Sequence, residues 1–500
     1  MEGFEGILFG FSVALKPINL LYCFFGVTIG TLVGVLPGLG PTAAISLLIP
    51  TTLHSTPESG FIMLAGIYYG AMYGGSTTSI LVNIPGEAAS VVTCLDGYQM
   101  AKQGRAGPAL GISAFGSFIG GTLGIIGLMV AAPPLARMAL KFGPPEYFSL
   151  MILGLTILSY LSAGSMIKTM MMGALGILLG CVGVDTVSGA NRFSYGVPEL
   201  MDGIGIVPIV MGLFGISEVL LNSEQSLKRE VFVTKVASLL PTRSDWKQSI
   251  GAILRGSGIG FFLGILPGGG TIVASFASYA VEKKLSSKPE SFGKGAIAGV
   301  AGPETANNAA TGGAFIPLLT LGIPANAVMA VLLGALMIHG LQTGPLLMRE
   351  APSVFWGMIT SMYTGNVLLL VLNLPLIPLW VRLLKVPYPF LFPLILLFCV
   401  VGSYGLNNSV FDVLTMIFFG LVGYLLKKFK YEGAPFVLAF ILGPMLENAL
   451  RQSLIISNGS FKIFFMRPLS ATLMIVALFL LFSPLILRRR PTAGLGEKDF

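Results

Sequence analysis

Apolar segments long enough to cross a lipid bilayer recur along the whole chain. Each has close to the ~20 residues that a helix needs to cross the hydrocarbon layer. Together they predict an all-α fold: a polytopic integral membrane protein with roughly 10–12 transmembrane helices. The clearest runs are 109–132, 146–163, 203–221, 353–381, 388–404, 410–426 and 471–487.

One of the apolar stretches is interrupted by Pro and Gly, and the interruption occurs twice. The sequence GVLPGLGPTAAIS at 34–46 reappears as GILPGGGTIVASF at 264–276. The polar residues that bound each motif enclose only 37 and 35 residues. Two full spans of about 20 residues and a turn would need more. We therefore expect re-entrant hairpins over 17–53 and 248–282, with kinks or tight turns between helices as the alternative.

A second landmark follows each motif in the same order. GGSTTSILVNIPGE at 74–87 follows the first motif, and GGAFIPLLTLGIPAN at 312–326 follows the second. These landmarks predict a broken polar helix in each half, over 61–90 and 296–340. Their nearly equal offsets indicate that the chain consists of two duplicated halves. The offsets are 230 for Pro37 and Pro267, 238 for Gly75 and Gly313, and 239 for Pro85 and Pro324.

Lys and Arg residues indicate how the two halves are oriented. None occurs from Pro17 to Ala101, whereas several flank the second motif on both sides. Loops rich in Lys and Arg stay in the cytoplasm, so the first motif should begin and end outside and the second inside. This is an inverted-topology repeat. It comprises residues 1–221 and 248–490, the latter with extra helices, joined by a cytoplasmic linker at 222–247 and followed by a cytoplasmic tail at 491–500.

A few cations do not fit this orientation. Arg137, Lys141 and the region 451–467 fall on the outer side by the same count. The last apolar segment ends in three consecutive arginines at 488–490. The C-terminus is therefore expected in the cytoplasm.

Composition and charge argue against several classes of function. The net charge of +8 lies in short loops between apolar segments, so it does not indicate nucleic-acid binding. The four cysteines are widely separated, and His54 and His339 are isolated. This pattern predicts neither a metal site nor a nucleophile–base pair. We therefore expect neither an enzyme nor a cofactor. The chain also has no Walker A sequence, so we expect no ATP hydrolysis.

The interrupted segments carry a candidate anion site. The arm after each hairpin tip begins a new helix, whose free N–H groups and positive dipole end can hold an anion without arginine. Burying the clustered hydroxyls and amides downstream in a membrane costs free energy unless they form hydrogen bonds, which favours binding of a substrate or an ion. Hydrogen bonds between helices are the alternative role. The candidate substrate-binding residues are Gly38, Gly40, Thr42, Ser76, Thr77, Thr78, Asn83, Gly268, Gly269, Gly270, Thr271, Thr305, Asn307, Asn308 and Thr311.

Two carboxylates are candidates for coupling transport to an ion. Glu304 follows Pro303 and is the best single candidate, and Glu87 follows Pro85-Gly86. A cap at an aqueous helix end is the alternative role for Glu87. The coupling ion is expected to be Na⁺ or H⁺, with a Na⁺ site near Asn307 and Asn308.

Several long motifs resemble the large membrane permease subunit of the tripartite tricarboxylate transporters. They include NLLYCFFGVTIGTLVGVLPGLGPTAAISLLIP, YGGSTTSILVNIPGE, LDGYQMAKQGRAGPAL and GPETANNAATGGAFIPLLTLGIP, and the resemblance covers essentially the whole chain. It implies a permease of the bacterial inner membrane that imports small organic carboxylates, such as di- and tricarboxylates. It also implies uptake driven by an ion gradient, with a small four-helix membrane subunit and a periplasmic solute-binding protein as partners. A passive anion channel and an intramembrane enzyme are the alternatives.

Overall fold

The structure confirms the all-α fold that the sequence predicts. The computed structural model of the protein describes residues 3–36, 40–161, 165–185, 188–224, 239–268, 270–383 and 388–486. In these ranges the only strands are β1 (Gly183–Val184) and β2 (Asn191–Arg192), which pair antiparallel.

The described helices follow one another with short connections. In the first half they are α1 (Phe4–Ala14), α2 (Pro17–Val35), α3 (Pro41–Thr52), α4 (Pro57–Val82), α5 (Val91–Lys102), α6 (Ala106–Ala139), α7 (Pro144–Leu161), α8 (Met166–Gly180), α9 (Ile206–Val210) and α10 (Ser217–Glu224), with a π-helical turn at Met211–Ile216 and 3₁₀ turns at Ala88–Ser90 and Pro198–Leu200. In the second half they are α11 (Arg243–Ile265), α12 (Gly270–Leu285), α13 (Ala298–Leu321), α14 (Ala327–Ile338), α15 (Leu347–Glu350), α16 (Pro352–Asn373), α17 (Ile377–Leu383), α18 (Tyr388–Asn407), α19 (Val410–Lys428), α20 (Gly433–Ile456), α21 (Ile463–Met466) and α22 (Pro468–Ile486), with a 3₁₀ turn at Pro289–Ser291.

Six segments of the described chain are long and apolar enough to cross a membrane, which confirms a multi-pass membrane protein. They are α2, α6, Ile206–Glu224, α16, α19 and α20. Further apolar helices, such as α8 and α14, are shorter. By contrast, α4 and α13 are buried along almost their whole length, so they form the centre of the protein.

Both predicted interruptions are real breaks in the helices. α2 ends at Val35 and α3 begins at Pro41, where proline at the first helical position needs no N–H partner. α11 ends at Ile265 and α12 begins at Gly270. Pro37, Gly38, Leu39 and Gly269, at the tips, lie outside the described residues.

α4 and α13 also end in the same way. Each is followed by a residue in the left-handed conformation, Asn83 with φ 57° and Gly322 with φ 70°. This geometry is common at helix ends because it closes the last turn. Five residues after each helix, a side chain caps the next helical segment: Glu87 before the 3₁₀ turn and Asn326 before α14.

The two halves pack through the same contacts. Small residues recur at every fourth position of α2 and α11, which allows the backbones to approach closely. A side chain on these glycines would overlap the backbone of α4 or α13. The equivalent contacts are Gly26, Gly30 and Gly34 on Met63, Ile67 and Ala71, and Gly256, Gly260 and Gly264 on Gly302, Ala306 and Ala310.

These contacts set the register of the duplication. Residues of α2 and α11 correspond at an offset of 230, and residues of α4 and α13 at 239, since Gly74 faces Thr31 as Gly313 faces Phe261. Gly313 therefore corresponds to Gly74, one residue from the Gly75 pairing that the sequence suggested.

α4 and α13 run in opposite directions. Tyr68, in the first half of α4, is bonded to Asn326, which follows the end of α13. Conversely, Asn307, in the first half of α13, is bonded to Glu87, which follows the end of α4. Antiparallel copies of one unit are the arrangement that an inverted repeat requires.

Two of the cations that do not fit the charge rule, Arg451 and Arg467, have carboxylate partners. Arg467 pairs with Glu146 at 2.6 Å. Arg451 pairs with Glu447 at 2.6 Å and with Asp185 at 2.9 Å. Such pairing lowers the cost of holding these cations beside apolar helices.

The close packing of α11 on α13 can be tested with two substitutions on one helix. A Cβ at Gly260 would lie 2.7 Å from the Cα of Ala306, whereas a Cβ at Gly258 would meet nothing within 4 Å. We expect Gly260→Leu to destabilise the purified protein by about 1–3 kcal/mol, because it overpacks the interface. Gly258→Leu, the control, should melt like the wild type in detergent. Equal melting temperatures for the two variants would contradict this packing.

Candidate functional site

One cavity of about 390 Å³ lies where the two interrupted regions of both halves meet. Gly40 and Thr42 of the first hairpin and Gly268, Gly270 and Thr271 of the second line it. The segments that follow α4 and α13 contribute Glu87 and Asn326, and α4 contributes Tyr68. The cavity therefore collects elements that are far apart in the sequence.

Several helices begin at the wall of this cavity. The first residues of α3, α12, α14 and the 3₁₀ turn before α5 all line it: Pro41, Gly270, Ala327 and Ala88. The first N–H groups of a helix have no partner within the helix, and its N-terminus carries a partial positive charge. No Lys or Arg side chain lines the cavity in the part of the chain that the structure describes. The helix N-termini are therefore the positively polarised groups at this cavity.

Two hydrogen bonds join the two halves at the cavity wall, and they involve corresponding positions of the halves. The side-chain amide of Asn307 donates to Glu87 Oε1 at 3.1 Å, and that of Asn326 donates to the Tyr68 hydroxyl at 3.0 Å. At the offset of 239, Tyr68 corresponds to Asn307 and Glu87 to Asn326. Glu87 and Asn326 are also helix caps: Ala89 N–H donates to Glu87 Oε2 at 2.6 Å, and Met329 N–H donates to Asn326 Oδ1 at 3.0 Å. We refer to these two cross-repeat hydrogen bonds as the paired clasps.

The second hairpin tip is held by the segment that follows α13. Gly268 N–H donates to the carbonyl of Ala325 at 2.9 Å. Gly268 has φ +76° and Gly270 has φ +47°, conformations that glycine adopts readily. Leu158 of α7 packs directly over Gly268. The tip, the break after α13 and α7 thus form one wall.

Most of the predicted hydroxyl and amide residues lie outside this cavity. Thr78 donates to the carbonyl of Val35 at 2.7 Å and so joins α4 to α2. Asn83 is an exposed helix cap, and Thr77 is buried in α4. The others bond within their own helix, which is the bonding that Ser and Thr often make in membranes: Ser76 to Tyr73, Thr305 to Ala301 and Thr311 to Asn307.

Asn308 lies beside a second, much smaller space. Its amide donates to Ser117 at 2.8 Å and to the carbonyl of Glu304 at 3.0 Å. With Thr311 it lines a cavity of about 10 Å³. That volume accommodates about one water molecule, so it cannot hold an organic anion.

The two candidate coupling carboxylates have different surroundings. Glu87 lines the large cavity, whereas Glu304 is sealed between helices and accepts a hydrogen bond from Thr93 on α5. Glu304 Oε2 and Asn307 Oδ1 are buried without a hydrogen-bond partner. The described residues contain no group of three or more His, Cys, Asp or Glu that could hold a metal ion.

Sequence reasoning missed several residues of the cavity wall, among them Tyr68, Leu158 and Asn326. Tyr68 and Leu158 lie in apolar helical stretches that carry no signal of a site. Asn326, however, could have been found, because GIPAN at 322–326 aligns with NIPGE at 83–87 and places Asn326 opposite Glu87.

The strained tip generates a stability prediction. Alanine at Gly268 would have to adopt a left-handed φ, which costs about 1–2 kcal/mol, and its Cβ would lie 2.8 Å from the Cα of Leu158. We expect Gly268→Ala to lower the melting temperature of the purified protein. Gly40, with φ −70° and no atom within 4 Å of a Cβ, provides the matched control, since Gly40→Ala should melt normally. An unchanged Gly268→Ala variant would show that the tip is not held in this conformation.

Comparisons with known proteins identify the family. The model of the tripartite tricarboxylate transporter TctA family matches residues 20–438. An uncharacterized 52.8 kDa protein in the TAR-I ttuC' 3' region of Agrobacterium vitis is 51% identical over 478 residues, covering 96% of this chain and 95% of that protein. An uncharacterized protein in the TAR-II ttuC' 3' region of the same organism is 54% identical over 215 residues, covering 43% of this chain and 89% of that protein. No solved structure matches the chain. The chain belongs to the TctA family of tripartite tricarboxylate transporters.

Proposed function

We propose that the protein is the permease subunit that carries small organic carboxylates across the bacterial inner membrane. The observation that supports this function best is the convergence of several helix N-termini on one cavity without a Lys or Arg side chain. Free backbone N–H groups and positive dipole ends bind carboxylates by the same physics that binds phosphates. The cavity of about 390 Å³ is within the usual size of small-molecule sites.

Backbone binding also suits a carrier, which must release what it binds. A helix N-terminus contributes about 0.3–1 kcal/mol to an exposed anion and up to about 2 kcal/mol in a partly buried site. Several N-termini together can hold a di- or tricarboxylate, one carboxylate at each. Without a desolvated guanidinium, no single interaction is strong enough to trap the solute.

The cavity reaches the side of the protein that the charge pattern assigns to the cytoplasm. Glu432, which is exposed, lines its mouth and follows Lys427, Lys428 and Lys430. Lys168, at the start of α8, donates to the carbonyl of Phe429 at 2.7 Å and adds a further cation there. By the positive-inside rule, this conformation would face inward.

Transport would then require the two hairpins to move relative to α7 and α20. Leu158 of α7, which packs over Gly268, and Leu438 of α20 are apolar residues of the cavity wall. Movement of one bundle against another around a fixed site is the usual use of an inverted repeat.

Membership of the family implies that other subunits complete the system. We propose a small four-helix membrane subunit and a periplasmic solute-binding protein as these partners. In the described part of the segment between α8 and α9, the structure has the short β1–β2 hairpin and a 3₁₀ turn, which is too little to capture a solute unaided. An ion gradient of H⁺ or Na⁺ would drive uptake.

Uptake assays test this function directly. The chain should be expressed with the proteins of its gene neighbourhood in cells that lack it, and supplied with radiolabelled citrate, succinate and benzoate. We expect at least one carboxylate to accumulate above its external concentration, and an ionophore that collapses the ion gradient to abolish the accumulation. Equilibration without accumulation would indicate a passive channel instead. No uptake of any carboxylate would contradict the proposed substrate class.

A charge placed in the cavity should weaken anion binding. Asp caps helices about as well as Asn does, so Asn326→Asp keeps the start of α14 and adds a negative charge. At an effective dielectric constant of about 20 and a distance of about 6 Å, the repulsion is about 3 kcal/mol. We expect the KM for uptake to rise about a hundredfold in Asn326→Asp. Asn326→Ser, which keeps a cap but adds no charge, should stay within about tenfold of the wild type. Equal KM values for the two variants would remove Asn326 from the anion site.

A further inference from the structure

We propose that Glu87 is the proton-binding site of this carrier, so that one proton travels with the bound anion. The proposal rests on the proposed function, because it requires an anion in the cavity. The sequence alone favours Glu304 over Glu87 as the coupling carboxylate, whereas the structure favours Glu87. The position of each carboxylate relative to the cavity separates them.

Glu87 lies at the anion cavity without a counter-ion. Its side chain is 7% exposed and lines the cavity. Its two oxygens accept from the Ala89 N–H and from the Asn307 amide, which are neutral donors. Neutral hydrogen bonds repay only part of the cost of taking a carboxylate out of water. The carboxylate is therefore poised to take up a proton when water no longer reaches it.

The groups that face Glu87 supply no positive charge. Tyr68 of α4 and Glu432 before α20 share the cavity with it, and Glu304 of α13 is an electrostatic neighbour. The part of α12 that lines the cavity, from Gly270 to Val273, has no titratable side chain. Other titratable residues on adjoining elements have other neighbours: Cys94 of α5 lies near Ser79, and on α12 Tyr279 bonds to Asp96 and Glu282 to Arg255. The cations of these helices, Lys102, Lys283 and Lys284, lie in the last turns of α5 and α12.

An ionised Glu87 and a bound carboxylate would compete for the same helix N-termini. Glu87 already occupies the start of the 3₁₀ turn that borders the cavity. Two negative charges held close together in a partly desolvated cavity repel each other strongly. Protonation of Glu87 removes this repulsion, so the anion and the proton bind together. When the anion leaves, the carboxyl group loses its proton to water in the cavity, and no other group changes charge.

The other half of the protein provides an internal comparison. Asn326 occupies the position that corresponds to Glu87, caps its helix in the same manner and belongs to the other of the paired clasps. Asn326 is an amide and stays neutral at every pH. The fold therefore tolerates a permanently neutral group at this position, and the carboxylate at Glu87 adds a charge that can be switched.

Glu304 is placed differently. It is 1% exposed, is absent from the cavity wall and accepts a hydrogen bond from Thr93. A carboxyl group that does not contact the cavity cannot exchange a proton with the water in it as the solute binds and leaves. Glu304 therefore acts in the packing of α13 against α5, with its protonation state unchanged during transport.

Infrared spectroscopy of the purified protein distinguishes the two carboxylates without a substrate. The carbonyl stretch of a protonated carboxylic acid should appear on acidification of the wild type. Because exposed carboxylates are protonated as well, the signal of Glu87 is the carboxyl band that remains when the difference spectrum of Glu87→Gln is subtracted from that of the wild type. The same subtraction with Glu304→Gln should leave no such band. If Glu304→Gln removed the signal, or Glu87→Gln left it intact, the proposal would be overturned.

Transport measurements test the coupling itself. Uptake of radiolabelled citrate, or of succinate if citrate is not carried, is measured over a range of pH in cells with the complete system. For a single proton, the wild-type KM should rise up to about tenfold per pH unit over the range in which Glu87 loses its proton as the pH increases. In Glu87→Gln the KM should be the same at every pH. Because both proteins receive the same ionic form of the solute, the comparison isolates Glu87.

The controls separate failure of this inference from failure of the proposed function. Glu290→Gln, exposed in the 3₁₀ turn after α12, should keep the wild-type pH dependence. If wild-type uptake requires Na⁺ at constant pH, with Glu304→Gln abolishing that requirement, then the coupling site is at Glu304 and the carrier function stands. If the wild type carries no carboxylate at all, the function itself fails.

A measurement on the unmodified chain covers the case in which Glu87→Gln does not reach the membrane. Hydrophobic carbodiimides react with protonated carboxyl groups, and peptide mass spectrometry locates the product. We expect labelling at Glu87 that is faster at acidic pH and slowed by citrate or succinate. Labelling confined to Glu304 would overturn the assignment.

Discussion

The structure depends on one constraint: a backbone N–H group inside a membrane must find a partner, and a helix that starts there lacks partners for its first turn. Most membrane proteins avoid this by starting helices in water. Here α3, α12 and α14 start at one internal cavity. The N–H groups of these first turns that no side chain caps make the cavity favourable for an anion. The buried helices α4 and α13 hold these ends together, since each contacts the segment that follows the other.

Duplication explains why the cavity has two similar walls. The glycine contacts of α2 on α4 are repeated by α11 on α13, and the paired clasps are repeated across the same antiparallel relationship. Two antiparallel copies give a binding site that either side of the membrane can approach in an equivalent way. The copies differ in charge at one pair of corresponding positions, because one clasp contains the carboxylate of Glu87 and the other the amide of Asn326. We infer that the shared geometry binds the solute and that the difference couples it to protons.

The sequence predicts the parts of this arrangement that depend on local chemistry. Pro and Gly stop helices wherever they occur in such patterns, so both breaks and their repetition were visible in the motifs near Gly40 and Gly268. The contacts of the hydroxyl residues were not visible. A threonine such as Thr305 can bond to its own helix or to a solute, and only the fold decides between them. Tyr68 lies 258 positions from Asn326, and no local pattern signals a contact over that distance.

The most direct test of the account is an experimental structure of the complete transporter with a carboxylate bound. The account predicts density for the solute between the start of α3 at Pro41 and the start of α12 at Gly270, with its oxygens within hydrogen-bond distance of backbone N–H groups. It predicts Glu87 at the edge of this density and no Lys or Arg side chain in contact with it. A solute held by a cationic side chain, or bound away from both hairpin tips, would contradict the central claim.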